Sequence, residues 1–343
     1  MSLEGTPLAS GLEAPPAPQR TRFEEAWRLF RRNRMALAGL VIFALFFFAA
    51  VAGLALTSGS RPLLDPSAVR LQEKLRPPLS MPQAASLQPG ERPAFGIYLF
   101  GTDDLGRDVF ARMLQGAWVS LTVGFVAVGI SVAVGIFMGG LAGFYGQRHI
   151  RLEQLLVTAV LLTGAGLLAA GLRSRGALLL VAGHAWLFWS ISPWGLRRWK
   201  ALPAGLGLLR KNTLMVDTVI MRFVDIMLCL PSFFLILTVV ALLPSSIYNI
   251  MIVIGLTSWE GTTRFVRAEF LSLREQDFVA AARALGVGNL RIIFRHMVPN
   301  AVAPVLVSAT IGIASAILTE AGLSFLGFGV PPPHATWGNI LSD

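Results

Sequence analysis

Charge is scarce in this chain. Only 14% of its 343 residues are Asp, Glu, Lys or Arg, against about 25% in soluble domains. With 54% hydrophobic residues and a mean hydropathy of +0.64, it is a chain solvated largely by lipid. Cysteine is nearly missing: Cys229 stands alone inside an apolar run, so no intrachain disulfide can form. Lysine is confined to Lys74, Lys200 and Lys211, and none completes the G-x-x-x-x-G-K-[ST] phosphate loop. The histidines His149, His184, His296 and His334 lie scattered, without metal-ligand spacing. No nucleophile motif is present, so no catalytic residue, metal or cofactor is expected. The 29 basic residues outnumber the 19 acidic ones. They cluster in the gaps between apolar runs, as in cytoplasmic loops of membrane proteins. Neither a zinc-finger pattern nor an aromatic-rich basic patch accompanies them, which argues against a nucleic-acid partner.

What the chain does have is long apolar runs, several near the ~20 residues that cross a hydrocarbon core as helix. Residues 1–20 are rich in Pro, Ala and Gly and lack a signal-peptide pattern. Phe23, Trp27 and Phe30 then recur at helical spacing among Arg22, Arg28, Arg31, Arg32 and Arg34. That pattern suits either an interfacial helix or the fraying start of the first span. The arginines favour a cytoplasmic N-terminus. Segment 1–34 is accordingly a tail with an interfacial helix, 35–57 a first span, and 58–116 an external loop with a pre-span helix. Residues 117–343 carry the remaining transmembrane domain.

Within that domain a span is expected over 118–144, whose Gly and small residues permit close helix packing. Runs at 155–172 and 176–194 read as a helical hairpin, either crossing or re-entrant. Further spans are expected over 219–243, 247–265 and 301–319. With the hairpin counted as two, the sequence predicts seven spans and an external C-terminus. Alternation from an inside N-terminus leaves 277–299 in the cytoplasm. There Ala280, Ala281, Ala282 and Ala284 would leave a helix surface open to close approach, and Gly286 favours a turn. Arg291 and Arg295 follow, four apart on a second helical stretch.

That segment resembles the cytoplasmic coupling loop of ABC-importer permeases, whose signature is Glu-Ala-Ala, a Gly after three residues, and Ile-x-Leu-Pro after nine more. Ala281, Ala282, Gly286 and Pro299 match it; Ala280, His296 and Val298 stand where the signature has Glu, Ile and Leu. Three further blocks resemble the second membrane subunit of dipeptide, oligopeptide or nickel importers: FGTDDLGRDVFARML, MRFVDIMLCLPSF and LSFLGFGVPPPHATWGNIL. The resemblance implies an all-α polytopic membrane protein, a type I importer permease-like helical bundle. It also implies a second permease subunit, two cytosolic ATP-binding subunits, an external solute-binding protein and a prokaryotic inner membrane. Within the coupling loop at 272–299 it assigns ATPase contact to Asp277, Ala281, Ala282, Arg283, Gly286 and Pro299. Two departures stand out. The family passes directly from a motif like Gly143-Phe144-Tyr145-Gly146 to one like Val216-Asp217, so 147–212 reads as an inserted hairpin. A final span that relatives carry past Trp337-Gly338 is expected to be missing.

Other polar residues have two readings each. Asp103, Asp104 and Asp108 either organise an external mouth or start a helix, with Thr102 or Asp103 as N-cap. Asp225 either pairs with Arg222 or faces a translocation path. Glu260 and Glu320, near span ends, either reach interfacial water or face a substrate. Trp186, Trp189, Trp194 and Trp199 suit interface anchoring. Peptide is the expected substrate class and nickel the alternative. An ion-coupled secondary transporter, or a membrane scaffold that moves nothing, are rivals from other classes.

Overall fold

The structure, a computed structural model, describes residues 22–59, 62–83, 87, 93–169, 171, 177–185 and 212–343. Helix α1 (Arg22–Arg32) and α2 (Arg34–Thr57) are separate elements, since Asn33 takes an extended backbone between them. Its side chain accepts from Met35 N and Ala36 N at 3.1 and 3.2 Å, satisfying donors that the first turn leaves orphaned. The amphipathic α1 is thus distinct from the span, with Trp27 and Phe30 stacked on one face at 5.8 Å. Helix α2 is apolar all round and exposes most of its length, burying Ala50, Gly53 and Thr57 against α3.

Helix α3 (Val109–Tyr145) is the pillar of the bundle. Its 37 residues span about 55 Å at 1.5 Å per residue, well beyond a hydrocarbon core of about 30 Å. At its N-terminal end Asp108 caps the helix by accepting from Phe110 N at 2.9 Å and Ala111 N at 3.5 Å. This corrects the expected cap at Thr102 or Asp103. Asp103 is instead claimed by cations: Arg107 Nε donates to it at 2.7 Å, and the buried Arg112 also donates. Thr102 binds the external segment, its Oγ1 accepting from Arg76 N at 2.8 Å and donating to Glu73 O. The described residues of 62–108 thereby form a cap seated on the N-terminal end of the pillar, with Glu73 fully buried beneath Arg76.

Burial raises the Asp103 carboxyl's affinity for protons, but the Arg107 amide, its guanidinium and the Leu105 amide together outweigh that and hold its pKa below the usual carboxylate range. A lowered folded pKa gives stability that is complete above the unfolded value and lost as pH falls through the folded one. Resistance of the 62–108 cap to an added protease should therefore hold above about pH 4 and fall below it. Asp103→Ala should cost roughly 2 kcal/mol at neutral pH, because it removes charged hydrogen bonds from Arg107 and Arg112, although Arg112 keeps Asp343 at 2.6 Å.

After α3 the chain forms β1 (His149–Arg151), then α4 (Leu152–Ala169) and a helical stretch at 177–185. It returns through β2 (Asn212–Met215), antiparallel to β1. The ends of the proposed insertion therefore meet: Val216 N donates to Arg148 O at 3.1 Å and Asp217 N to Gly146 O at 3.4 Å. The four tryptophans at 186, 189, 194 and 199 lie outside the described residues.

The expected span over 219–243 is two helices, α5 (Val216–Cys229) and α6 (Ser232–Leu242), bent by 83°. Pro231 lacks the donor a continuous helix needs and its preceding residue, Leu230, is extended, so the chain breaks rather than kinks. The next expected span, 247–265, divides at Ser258–Trp259 into α7 (Ile247–Thr257) and α8 (Glu260–Leu273). Helix α9 (Asp277–Ala284) follows, and a π-helical turn at Ile292–Met297 leads into α10 (Val298–Phe325). Pro299, unable to donate backward, accounts for the widened turn before it. The last expected span, 301–319, thus runs on from the loop after α9 as a stretch covering Asn289–Phe325. Residues 326–336 fold back to α11 (Trp337–Ser342), started by a capping box of Thr336 and Asn339.

Among the described residues three helices are long and apolar enough to cross a membrane, four with the bent pair counted as one. Two apolar cores flank the pillar. One joins Val119–Val128 of α3 to α6, α7 and α10 through Ile236, Ile250, Ile254 and Leu323. The other lies at the opposite end of α3, where Phe144 meets Val266 and Phe270 of α8, Val279 of α9 and Met297. The bundle is all-α save for the short ribbon.

Candidate functional site

The second core carries the loop that joins α8 to α10. Helix α8 reaches it by lying against α3 with almost no intervening side chains: a Cβ on Gly139 would come 2.6 Å from Thr263 O, and one on Gly143 2.5 Å from Phe270 Cβ. Such close approach is how helices associate where lipid supplies no hydrophobic drive. At the far end of α8, Arg274 N caps onto Phe270 O at 3.0 Å and Arg274 Nη1 donates to Gly143 O at 3.4 Å. The loop is therefore fixed to the pillar before α9 begins.

Helix α9 is two-faced. Val279 and Ala282 are buried against Ile292, Ile293 and Met297, while Asp277, Ala280, Ala281, Arg283 and Ala284 are exposed. Asp277 sits in the first turn, where a negative charge complements the helix dipole. The Arg283 guanidinium lies 5.3 Å from the centre of the Phe144 ring, a cation–π contact back to the pillar. The helix ends in a Schellman turn: Gly286 N donates to Arg283 O at 2.9 Å and Val287 N to Ala282 O at 3.1 Å, with Gly286 at φ +74°. Leu285, at the tip, is 83% exposed. The result is a small-residue platform with an apolar knob, held on a rigid base. Pro299 lies exposed in the first turn of α10, beyond the π turn rather than on the platform.

The second feature is a cavity of about 300 Å³ walled by α3, α6, α7, α10 and the start of α8. Its polar lining is hydroxyls from Ser131, Ser232, Ser258, Thr262, Ser308, Ser315 and Thr319, with Glu260. Thr262 and Ser308 hydroxyls meet at 3.1 Å across α8 and α10. Glu260 Oε2 is shielded from solvent and has no hydrogen-bond partner. Of the two readings for Glu260, the structure puts it at an internal cavity.

Glu320 does not reach interfacial water; it is 0% exposed. Ser324 Oγ donates to it at 2.6 Å and Ser120 Oγ at 3.4 Å, and Ser120 Oγ in turn accepts from Trp337 N at 3.4 Å. It ties α10, α3 and α11 together and does not line the cavity. Asp225 is half-exposed and takes Arg264 Nη2 at 2.9 Å, while Arg222, the expected partner, lies at the outer limit of 3.9 Å. Asp217, which sequence reasoning passed over, accepts a two-pronged contact from Arg267, with Nη2 at 2.6 Å. That fork fixes the start of α5 to α8. The cavity was also missed, although Ser308, Ser315 and Thr319 recur on one face of an otherwise apolar helix.

Comparison with known proteins places the chain in a family. Residues 201–343 match the family described as binding-protein-dependent transport system inner membrane component. Residues 21–78 match the N-terminal TM domain of oligopeptide transport permease C. The dipeptide transport system permease protein DppC of Alkalihalophilus pseudofirmus is 33% identical over 96% of this chain and 80% of its own length. The oligopeptide transport system permease protein OppC of Bacillus subtilis is 27% identical over 94% of this chain and 76% of its own. The DppC protein of Haemophilus influenzae is 30% identical, over 94% and 82%.

Proposed function

The chain belongs to the binding-protein-dependent permease family of dipeptide and oligopeptide ABC importers, and from that premise we propose that it is a peptide permease whose α9 receives the stroke of a cytosolic ATPase. The names of its relatives support peptide as the substrate class. The observation that carries the coupling role is the construction of α9: an exposed small-residue platform whose other face is packed into the base of the pillar.

Motion delivered there has a short route. Val279 and Ala282 press on Ile292, Ile293 and Met297, which continue without interruption into α10. Helix α10 then forms a wall of the hydroxyl-lined cavity. A rigid-body shift of α9 would thus move that wall, which is what alternation between inward- and outward-facing states requires. ATP hydrolysis belongs to the partner subunits in this reading. A second permease subunit completes the pathway, and a solute-binding protein delivers substrate to the external cap. The N-terminus and α9 lie in the cytoplasm of an inner-membrane, multi-pass protein, with α1 at the lipid headgroups.

Uptake of labelled dipeptides, oligopeptides and nickel by cells with and without this gene tests the assignment. Loss of peptide uptake on deletion, restored by complementation, is the expected result. Loss of nickel uptake with peptide uptake intact would move the chain to the metal branch.

A further inference from the structure

We propose that Glu260 is the receptor for a protonated amine of the transported substrate, an inference that rests on the importer reading above. Within the cavity wall it is the sole ionisable side chain among the described residues. Its Oε2 is buried yet accepts no hydrogen bond, and a carboxylate in the membrane interior is costly unless something pairs with it. The nearest cation on its own helix is Arg264, one turn further on. That guanidinium is held by Asp225 at 2.9 Å on the α5 side.

Three of the seven lining hydroxyls bear on the sign of the missing partner. Ser131 Oγ donates to Ser258 O at 2.7 Å, Ser258 Oγ to Ile254 O at 2.8 Å, and Thr319 Oγ1 to Ser315 O at 2.8 Å. The protons of these three are spent on backbone carbonyls, so what they offer the cavity is lone pairs. A carboxylate without a partner, with such acceptors beside it, fits a group with several donors and no acceptor. An ammonium is such a group, and a carboxylate or phosphate is not. The exposed residues Ile311 and Ser315 of α10 border the cavity and give the ligand a way in. At about 300 Å³ the space lies at the small end of ligand pockets, room for the amino end of a peptide and its first side chain.

Two ammonium groups have this chemistry, the amino terminus and a lysine side chain. Uptake by the complete reconstituted importer should be measured for dialanine, N-acetyl-dialanine and N-acetyl-lysyl-alanine. Glu260→Gln should slow dialanine by about tenfold, the worth of one charge-assisted hydrogen bond, and Glu260→Asp by less. If only the terminus is read, both acetylated peptides are slow in the wild type and unchanged by Glu260→Gln. If a lysine side chain suffices, N-acetyl-lysyl-alanine is carried by the wild type and lost in the variant. Should Glu260→Gln fail to assemble, Ser315→Lys puts a competing ammonium into the same cavity and must slow dialanine likewise. Wild-type dialanine rates in Glu260→Gln, or in Ser315→Lys, overturn the proposal while leaving the importer reading intact. A wild-type complex that imports no peptide at all overturns that reading and this one with it.

Discussion

Ala281→Glu is expected to abolish uptake while leaving the protein inserted, folded and as heat-stable as the wild type. Ala281 is exposed on the α9 platform, where none of the described residues covers it. A glutamate there costs nothing in the isolated chain. Against a docked partner it would add bulk to a surface built of alanines and desolvate a carboxylate without a counter-charge, a penalty of several kcal/mol. One residue on, the same change has a different cause and a different signature. Ala282 is buried among Ile292, Ile293 and Met297, so Ala282→Glu should lower thermal stability by about 3 kcal/mol as well as stop transport. Gly286→Pro should likewise stop transport while the protein still inserts, but with a lowered melting temperature. Proline cannot take φ +74° or donate the amide that closes the turn onto Arg283 O. Uptake assayed beside the melting temperature of the purified chain separates the cases. If Ala281→Glu transports normally, α9 is not the docking helix.

Gly139→Leu should have the largest effect on the fold itself. Its Cβ would sit 2.6 Å from a backbone oxygen, Thr263 O, and 2.8 Å from Val266 Cβ. Backbone cannot swing aside as a flexible side chain can, so α8 would have to leave the pillar. The loss should exceed about 3 kcal/mol, and the variant should be scarce in membranes and melt early in detergent. Gly129 is the internal control. It lies on the same helix with nothing within 4 Å of a Cβ, and Gly129→Leu should accumulate and melt as the wild type does.

The contrast between these glycines shows what was legible in the sequence. That the 118–144 region packs closely could be read from its small residues, but not which of them touch another helix. Helix α9 and the turn at Gly286 were legible because alanine spacing and a glycine at the helix end are local signals. Most misses were decided by contacts distant in sequence. Three aspartates compete to cap α3, and Asp108 does so because Arg107 and Arg112 engage Asp103. Glu320 stands at a span end but is covered when residues 326–336 fold back over it. Pro231 takes a backbone donor out of any helix over 219–243, but the extent of the break, 83°, depends on where α6 finds its core. The pairing of Asp217 with Arg267 joins residues 50 apart, with no local pattern to mark it.

The central claim is that ATP hydrolysis by a partner, received at α9, drives substrate across. The most direct measurement is dialanine accumulation in proteoliposomes holding the complete importer, with ATP supplied on the ATPase side and with proton and sodium gradients collapsed. The account predicts accumulation against a gradient with ATP, and none without it or with Ala281→Glu. Accumulation driven by an ion gradient in the absence of ATP would contradict it.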